Sequence, residues 1–132
     1  RLRMSAIYTA ANALNYLVVG TDNKAEAYTG YFTKYGDGGV DIQPLGEYTK
    51  AEVYEMAKVL NIPDPILTKA PSAGLWIGQT DEQEMGTTYD YIDRYLKGEL
   101  IPEKDREIIE RMHRVSEHKR NMPPVYHRTN NQ

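Results

Sequence analysis

A short apolar run between helix-forming segments places the strongest constraint on what this chain can fold into. Residues 16–20 are apolar without alternation up to Gly20, which is typical of a strand buried on both faces of a parallel sheet. Residues 2–15 place apolar side chains at helical spacing and predict an amphipathic helix packed tightly against a neighbour. Residues 24–30 predict a short helix, and residues 40–45 are a second candidate strand. Because parallel strands need a crossover connection, this order predicts an α/β domain with a parallel sheet.

Threonines mark the starts of three later helices. Thr49 and Glu52 fit a capping box, so a helix is expected from there to Asn61. Thr80 begins a second capping pattern, and Thr88 is expected to cap a third helix.

A long loop and a final helix complete the chain. Prolines and glycines are frequent in residues 63–80, which predicts an extended loop, and residues 103–120 align apolar side chains on one helix. Two strands do not make a stable sheet, so we expect the missing strands to come from sequence before Arg1 or from another chain. Since an intact translation product begins with Met, this chain is expected to be a piece of a longer protein.

The composition excludes several classes of protein. The 132 residues are 40% hydrophobic and 27% charged, which is the balance of one soluble globular domain. The absence of cysteine excludes disulfide scaffolds, thiolate metal sites and cysteine nucleophiles. The net charge of −3 offers no basic field for a nucleic acid, and no apolar run is long enough for a membrane span. We therefore expect a cytoplasmic protein that binds neither nucleic acid nor membrane.

Polar residues after the first candidate strand could bind a nucleotide. Thr21 lies at the edge where open α/β sheets bind ligands, and Glu26 on the next helical turn could ligate a Mg²⁺ that bridges phosphates. Position alone also allows Thr21 to be a helix cap and Glu26 to be a solvated surface residue. Residues 33–41 form a glycine-rich loop with one lysine and two aspartates, which could bind phosphate, hydroxyls or metal, although an ordinary glycine turn also fits.

Three further features carry weaker signals. Lys50 lies in the first turn of a capped helix, where a cation opposes the macrodipole, and this indicates an anionic ligand nearby. Residues 69–82 contain Trp76 among small residues, which fits either a lid that orders over a substrate or a loop whose tryptophan packs into the core. The basic residues 118–120 lie at the negative end of the last helix and are expected to cap it.

Seven segments of the chain occur in a characteristic order: residues 1–4, 16–21, 30–39, 71–76, 78–82, 89–93 and 118–120. In this order they resemble the C-terminal half of the ammonia-dependent NAD⁺ synthetases, which belong to the ATP pyrophosphatase superfamily. The resemblance implies a parallel-sheet nucleotide-binding fold of the adenine nucleotide alpha hydrolase-like type. Residues 1–132 would be the C-terminal part of a single domain whose phosphate-loop half is missing here.

The resemblance also implies an activity. ATP and Mg²⁺ would adenylate the nicotinate carboxylate of deamido-NAD⁺ with release of pyrophosphate, and ammonia would attack the acyl-adenylate to give NAD⁺ and AMP. A homodimer with the dinucleotide near the subunit interface is implied as well. Free ammonia is the expected nitrogen donor, although an amidase domain before Arg1 that uses glutamine stays open.

The resemblance assigns binding roles to nine residues. ATP would be contacted by Thr21, Lys50 and Ser72, Mg²⁺ would be held by Glu26, and deamido-NAD⁺ would be contacted by Arg1, Lys34, Asp41, His118 and Lys119. The family's Ser-Gly-Gly-x-Asp-Ser loop does not occur in this chain, so the chain by itself is expected to hold half a site and to be inactive. Two alternatives stay open: a non-catalytic dimerisation fragment, or another ATP pyrophosphatase-type amidating ligase.

Overall fold

Helices account for the regular structure of residues 1–127, which is the part of the chain that this computed structural model describes. The helices are α1 Leu2–Leu14, α2 Lys24–Thr29, α3 Lys50–Val59, α4 Asp64–Leu67, α5 Asp81–Met85, α6 Tyr89–Leu96, α7 Glu103–Val115 and α8 Glu117–Arg120. None of these helices in the described part has the length and apolar character required to span a bilayer.

The predicted parallel sheet is not confirmed within residues 1–127. The two candidate strands do meet in parallel orientation, but they share a single bridge between Val19 and Ile42. Gly20 N donates to Ile42 O at 2.8 Å, and Asp41 N donates to Val18 O at 2.9 Å. Val18 is buried, whereas Val19 is 57% exposed, so the expectation of burial on both faces is also wrong here. A short pair of segments without further neighbours gains too little packing to extend into a ladder.

The core lies where α2, α5, α6 and α7 meet. Ala25, Met85, Tyr89, Ile92 and Ile109 form its buried cluster, and each is at most 5% exposed. Burial of a large apolar side chain contributes about 1.5–3 kcal/mol, so this cluster stabilises the helices that carry the cavity residues described below.

Local capping sets the starts of several helices, as the threonine patterns predict. Thr49 and Glu52 form the predicted capping box of α3, in which Glu52 Oε2 accepts a hydrogen bond from Thr49 N at 2.7 Å. Thr80 and Thr88 are the N-caps of α5 and α6, as predicted.

The end of the last predicted helix differs from expectation. Instead of one helix over residues 103–120, α7 and α8 are separated at Ser116. Ser116 Oγ lies 2.7 Å from Met112 O and 3.2 Å from Thr29 O, and a hydroxyl that bonds back to the preceding turn favours a bend. Gly30 packs directly against this serine, because a Cβ at Gly30 would lie 2.2 Å from Ser116 Oγ.

α1 is little buried despite its length. Ala11 is its buried residue, and Leu2 and Leu14 are 88% and 60% exposed. The expectation that this helix packs tightly against a neighbour is therefore wrong within the described residues.

Candidate functional site

A cavity of about 560 Å³ opens between α2, the start of α3 and the segment that leads into α5. The four residues that the resemblance assigns to ATP and Mg²⁺ all line this cavity: Thr21, Glu26, Lys50 and Ser72. Lys119, assigned to the dinucleotide, lines it too. The fold thus brings together residues that lie far apart in the sequence.

Glu26 is held by the same turn that begins α2. Asn23, and not Thr21, caps this helix: its side-chain oxygen accepts from Ala25 N at 3.0 Å and from Glu26 N at 3.2 Å. In return, Glu26 Oε2 accepts from Asn23 N at 2.9 Å. The alternative in which Thr21 is the cap is therefore wrong. An asparagine followed three residues later by glutamate is itself a capping pattern, so the sequence did contain this signal.

Lys50 completes an ion pair with Glu26 across the cavity wall. Lys50 Nζ lies 3.0 Å from Glu26 Oε1, and the two side chains are only 19% and 15% exposed. The same ammonium lies 4.5 Å from the centroid of the Tyr89 ring. Because both partners are mostly buried, the pair is screened by solvent far less than a surface ion pair.

Asp93 explains why a lysine is tolerated in the first turn of α3. The N–H groups of Lys50 and Ala51 donate to the two carboxylate oxygens of Asp93 at 3.1 and 2.9 Å, and Asp93 is 5% exposed. This buried carboxylate from α6 compensates the positive end of the helix. The anions that accompany Lys50 in this structure are thus Asp93 and Glu26.

A chain of phenol and carboxylate groups continues from Glu26 into the cavity wall. The Tyr89 hydroxyl lies 3.2 Å from Glu26 Oε1 and 3.0 Å from Asp81 Oδ2. The Tyr31 hydroxyl lies 3.4 Å from Asp81 Oδ1 and 2.7 Å from Glu84 Oε2. Sequence reasoning missed these residues, because no local pattern relates Tyr31 to groups about fifty positions away.

The protonation of this chain follows from its environment. Burial raises the pKa of both Tyr31 and Tyr89 above the usual value, and the neighbouring carboxylates raise it further. Hydrogen bonds from Tyr31 and Gln79 lower the pKa of Glu84. At neutral pH the two phenols therefore keep their hydrogens, and Glu84 is ionised.

Asp22 adds a buried carboxyl beside Thr21. It is 6% exposed, and Gln43 Nε2 donates to its Oδ2 at 3.3 Å. Burial, reinforced by the charges of Asp37 and Glu26, raises the pKa of Asp22 to about 6. This end of the cavity therefore carries excess negative charge above that pH.

Glu26 supplies a carboxylate oxygen of the kind that Mg²⁺ prefers. Mg²⁺ is usually held by one or two carboxylates together with water and substrate phosphates. Within residues 1–127 no group of three or more His, Cys, Asp or Glu is arranged as a metal site, so a fully protein-made cage is not part of the described structure. The donor set fits a Mg²⁺ that shares Glu26 with phosphates, provided that Lys50 leaves Glu26 Oε1.

Two lysines assigned to the dinucleotide bind backbone carbonyls in this structure. Lys119 Nζ donates to Gly30 O at 2.8 Å and to Phe32 O at 2.7 Å. Lys34 Nζ donates to the carbonyl of His118. These contacts join the segment after α2 to α8. The His118 side chain itself is exposed.

Apart from Lys119, the residues assigned to the dinucleotide do not line the cavity. Arg1 Nε donates to Lys34 O at 3.3 Å, which places Arg1 beside the segment after α2 that Lys34 and Lys119 join to α8. Asp41 lies apart from it: its Oδ2 accepts from Val18 N at 2.7 Å, and the Tyr8 hydroxyl donates to its Oδ1 at 3.0 Å. The assignment of these residues to the dinucleotide stays a prediction, and the homodimer that the resemblance implies would allow His118 and Lys119 to serve the site of a partner subunit.

The loop that carries Ser72 is tied to the cavity wall at Gln79. Gly74 N donates to Ser72 Oγ at 3.0 Å, and Leu75 N donates to the Gln79 side-chain oxygen at 2.8 Å. Gln79 is 6% exposed, but Trp76 is 57% exposed. The alternative in which Trp76 packs into the core is therefore wrong, while the lid remains a prediction.

Comparisons with known proteins identify the family of this chain. Residues 1–123 match the family described as NAD synthase. The chain is 69% identical over 124 residues to the NH(3)-dependent NAD(+) synthetase of Alkaliphilus oremlandii (strain OhILAs), covering 94% of this chain and 50% of that protein. It is 63% identical over 125 residues to the protein of the same name from Alkaliphilus metalliredigens (strain QYMF), covering 95% and 51%.

Solved structures of two synthetases are similar to this chain. The structure described as NMN synthetase from Francisella tularensis is 50% identical, with a TM-score of 0.93 and coverage of 95% of this chain and 52% of that one. The NH3-dependent NAD synthetase from Campylobacter jejuni is 29% identical, with a TM-score of 0.69 and coverage of 96% and 52%. The chain belongs to the NAD synthase family, and its fold is consistent with that of these synthetases. It spans about half the length of the curated relatives it matches.

Proposed function

We propose that this chain is the C-terminal part of a single ammonia-dependent NAD⁺ synthetase domain, a ligase that forms a C–N bond. The protein would convert deamido-NAD⁺, ATP and ammonia to NAD⁺, AMP and pyrophosphate through an adenylated nicotinate. The carrying observation is the convergence of Thr21, Glu26, Lys50 and Ser72 on one cavity. A dimerisation fragment without catalysis would not need these four side chains around one opening. We further propose a homodimer, which the resemblance implies, and a cytoplasmic location, which is the expectation from the composition.

Lys50 is the group that would offset phosphate charge during adenylation. The Lys50 ammonium lies on the cavity wall, where it pairs with Glu26 Oε1. Its long side chain can turn from this carboxylate to a phosphate with little movement of α3. A cation held in a partly buried site stabilises developing charge more strongly than one in water. The Asp93 contact keeps the start of α3 in place when Lys50 changes partner.

Hydroxyl groups would orient the rest of the nucleotide. Thr21 and Ser72 line the same cavity and can donate hydrogen bonds to phosphate or ribose oxygens. Mg²⁺, when bound at Glu26, would neutralise phosphate charge. The loop above Ser72 would exclude water and so protect the acyl-adenylate until ammonia attacks it.

The identity of the amide acceptor has two candidates. The relative with a TM-score of 0.93 is described as an NMN synthetase, which indicates that the same fold amidates a mononucleotide as well. This likeness favours nicotinate mononucleotide as the alternative acceptor. Lys34 and Lys119 each donate to two backbone carbonyls in the described residues, which leaves one ammonium hydrogen of each for a phosphate of either acceptor.

The proposal is tested with the full-length protein. Purified protein is incubated with ATP, Mg²⁺, ammonium and either deamido-NAD⁺ or nicotinate mononucleotide, and NAD⁺, NMN, AMP and pyrophosphate are quantified by mass spectrometry. Formation of NAD⁺ with equimolar AMP supports the first candidate, and preferential formation of NMN supports the second. Formation of ADP and phosphate, or no amide product with either acceptor, would contradict both. The 132-residue chain alone is expected to be inactive, because its cavity lacks the phosphate loop.

A further inference from the structure

The proposed nucleotide site leaves the phenol and carboxylate chain of Glu26, Tyr89, Asp81 and Tyr31 without a role. This chain begins at the carboxylate assigned to Mg²⁺ and ends beneath the loop that carries Ser72. Tyr89 is 5% exposed and Asp81 is 7% exposed, so neither group exchanges freely with water. Buried polar groups arranged in this way are strongly held only when every member has a partner.

The hydrogen bonds that link the phenols and carboxylates of this series can be arranged in two ways. Tyr89 has one hydroxyl hydrogen but lies within hydrogen-bond distance of two carboxylate oxygens, one on Glu26 and one on Asp81. The hydrogen can point to either oxygen, and a rotation about the C–O bond converts one arrangement to the other. In this structure Glu26 Oε1 already accepts from Lys50 Nζ, so the Tyr89 hydrogen is free to serve Asp81.

Departure of Lys50 would change this balance. When Lys50 turns to a phosphate, Glu26 Oε1 loses its cationic donor while Oε2 keeps the hydrogen bond from Asn23 N, and a buried carboxylate oxygen without a donor is costly. Tyr89 can then donate to Glu26, while Tyr31 can donate to Asp81. The two phenols therefore allow the ion pair to open while Glu26 Oε1 and Asp81 each keep a hydrogen-bond donor.

The two middle members of this series, Tyr89 and Asp81, are held in place by hydrogen bonds of their backbone N–H groups. Tyr89 N donates to Glu82 Oε1 at 2.9 Å, and the Tyr89 ring belongs to the buried core cluster. Asp81 N donates to Pro71 O at 2.9 Å, directly before Ser72. The hydroxyl of Tyr89 is thus fixed relative to the core, while Asp81 also contacts the loop that carries the second nucleotide-binding hydroxyl.

We infer that Tyr89 and Asp81 are positioning residues of the nucleotide site, which hold Glu26 while Lys50 moves from it to the phosphates of ATP. The inference rests on the proposed function, because it takes ATP as the ligand. Tyr89→Phe removes the hydroxyl and keeps the ring, so it preserves the core and the contact with Lys50. Tyr95→Phe is the matched control, since Tyr95 is a partly buried tyrosine packed against the same core whose hydroxyl contacts Glu110 and not the cavity.

The experiment measures binding of ATP with Mg²⁺ to the full-length protein by titration calorimetry, together with thermal unfolding. We expect Tyr89→Phe to weaken the affinity about tenfold, which corresponds to about 1.4 kcal/mol, and Tyr95→Phe to leave it unchanged. In steady-state assays Tyr89→Phe should raise the KM for ATP more than the KM for the acceptor. Equal affinities of the Tyr89→Phe and Tyr95→Phe proteins for ATP would overturn the inference, even if both unfold at lower temperature.

Tyr31→Phe is the second variant if Tyr89→Phe does not fold. It removes the other hydroxyl beside Asp81, at a position that does not contact Glu26, and should weaken ATP binding several-fold; unchanged affinity would overturn the inference. Binding and turnover separate the two proposals. If ATP binding responds as expected but no NAD⁺ or NMN forms, the proposed function is wrong and the positioning role stands. If the amide forms while the Tyr89→Phe protein binds ATP normally, the proposed function stands and the positioning role is wrong. A parent protein that binds no ATP also overturns the inference.

Discussion

The two sides of the implied site are built in different ways. On the ATP side, the Lys50 ammonium lies on the cavity wall and pairs with Glu26 Oε1, so this cation can change partner, while Glu26 keeps its second oxygen on Asn23 N. On the dinucleotide side, Lys34 and Lys119 bond to backbone carbonyls, and Asp41 accepts from a backbone N–H. Side chains of the second kind hold segments together. The difference teaches that residues with the same implied role can be either ligand groups or framework groups, and mutation should separate them.

Substitution of Glu26 should have the largest effect. Glu26→Gln in the full-length protein removes the charge that would hold Mg²⁺ and should lower pyrophosphate release about a hundredfold to a thousandfold. Glu52→Gln is the matched control, because Glu52 has the same place in the capping box of α3 but is exposed and does not line the cavity. If both variants lose the same activity, the effect comes from helix capping and the contrast between the two sides fails.

A pH-dependent stability effect should follow for the acidic end of the cavity. The pKa of Asp22 is raised to about 6 in the folded protein, so the folded state binds more protons than the unfolded state between about pH 4 and pH 6. Stability contributed by this group is therefore present at low pH and is lost as the pH rises through that window. Asp22→Asn should consequently be stabilising above pH 6, by about 2–3 kcal/mol relative to its effect at pH 4.

Urea unfolding of the full-length protein at several pH values measures this difference. Asp90→Asn is a control at an exposed carboxyl, whose side chain is 75% exposed, and should show no such trend. A difference between the Asp22→Asn and parent proteins that is independent of pH would contradict the raised pKa.

Lys119 tests the framework side. Lys119→Met removes a cation that donates to Gly30 O and Phe32 O, and should lower the free energy of unfolding by about 1–2 kcal/mol. Lys104→Met, at an exposed position, should leave it unchanged. Urea denaturation and the KM for the acceptor are measured for both proteins. A Lys119→Met protein of normal stability with a raised KM would show that Lys119 is a ligand group, and the contrast drawn above would need revision.

The sequence predicted local features better than features formed at a distance. The capping box of Thr49 and Glu52 was predictable because both partners lie within one turn. The cap supplied to α3 by Asp93 was not, since Asp93 lies 43 positions from Lys50 along the chain. Neither pattern nor propensity relates such residues, because packing alone brings them together.

The predicted strands failed for a related reason. The apolar run of residues 16–20 was interpreted as a buried strand, and burial on both faces requires neighbours that residues 1–127 do not supply. On the ATP side, the four residues that the resemblance named line one cavity, and their binding roles stay predictions. Tyr31, Asp81 and Tyr89 lie within segments that carry the resemblance, but no pattern predicted their contacts with one another, because tyrosine and aspartate in isolation are compatible with almost any exposed or half-buried position.

Trp76 should show the smallest effect on stability and the sharpest effect on reaction outcome. Because it is 57% exposed, Trp76→Ala should change the free energy of unfolding by less than about 0.5 kcal/mol. The loop is anchored below it, where Leu75 N donates to Gln79, so the tryptophan can close over the cavity without disturbing that anchor. If the loop is a lid, the variant should release AMP and pyrophosphate without a matching amount of amide product, since water would reach the acyl-adenylate.

The fluorescence of Trp76, with other tryptophans of the full-length protein replaced, should shift when ATP and the acceptor are both added, and protease cleavage within residues 69–82 should slow. Unchanged emission and cleavage at saturating ligand, with full coupling of AMP to amide in the alanine variant, would show that the loop does not close and that Trp76 belongs to neither side of the site.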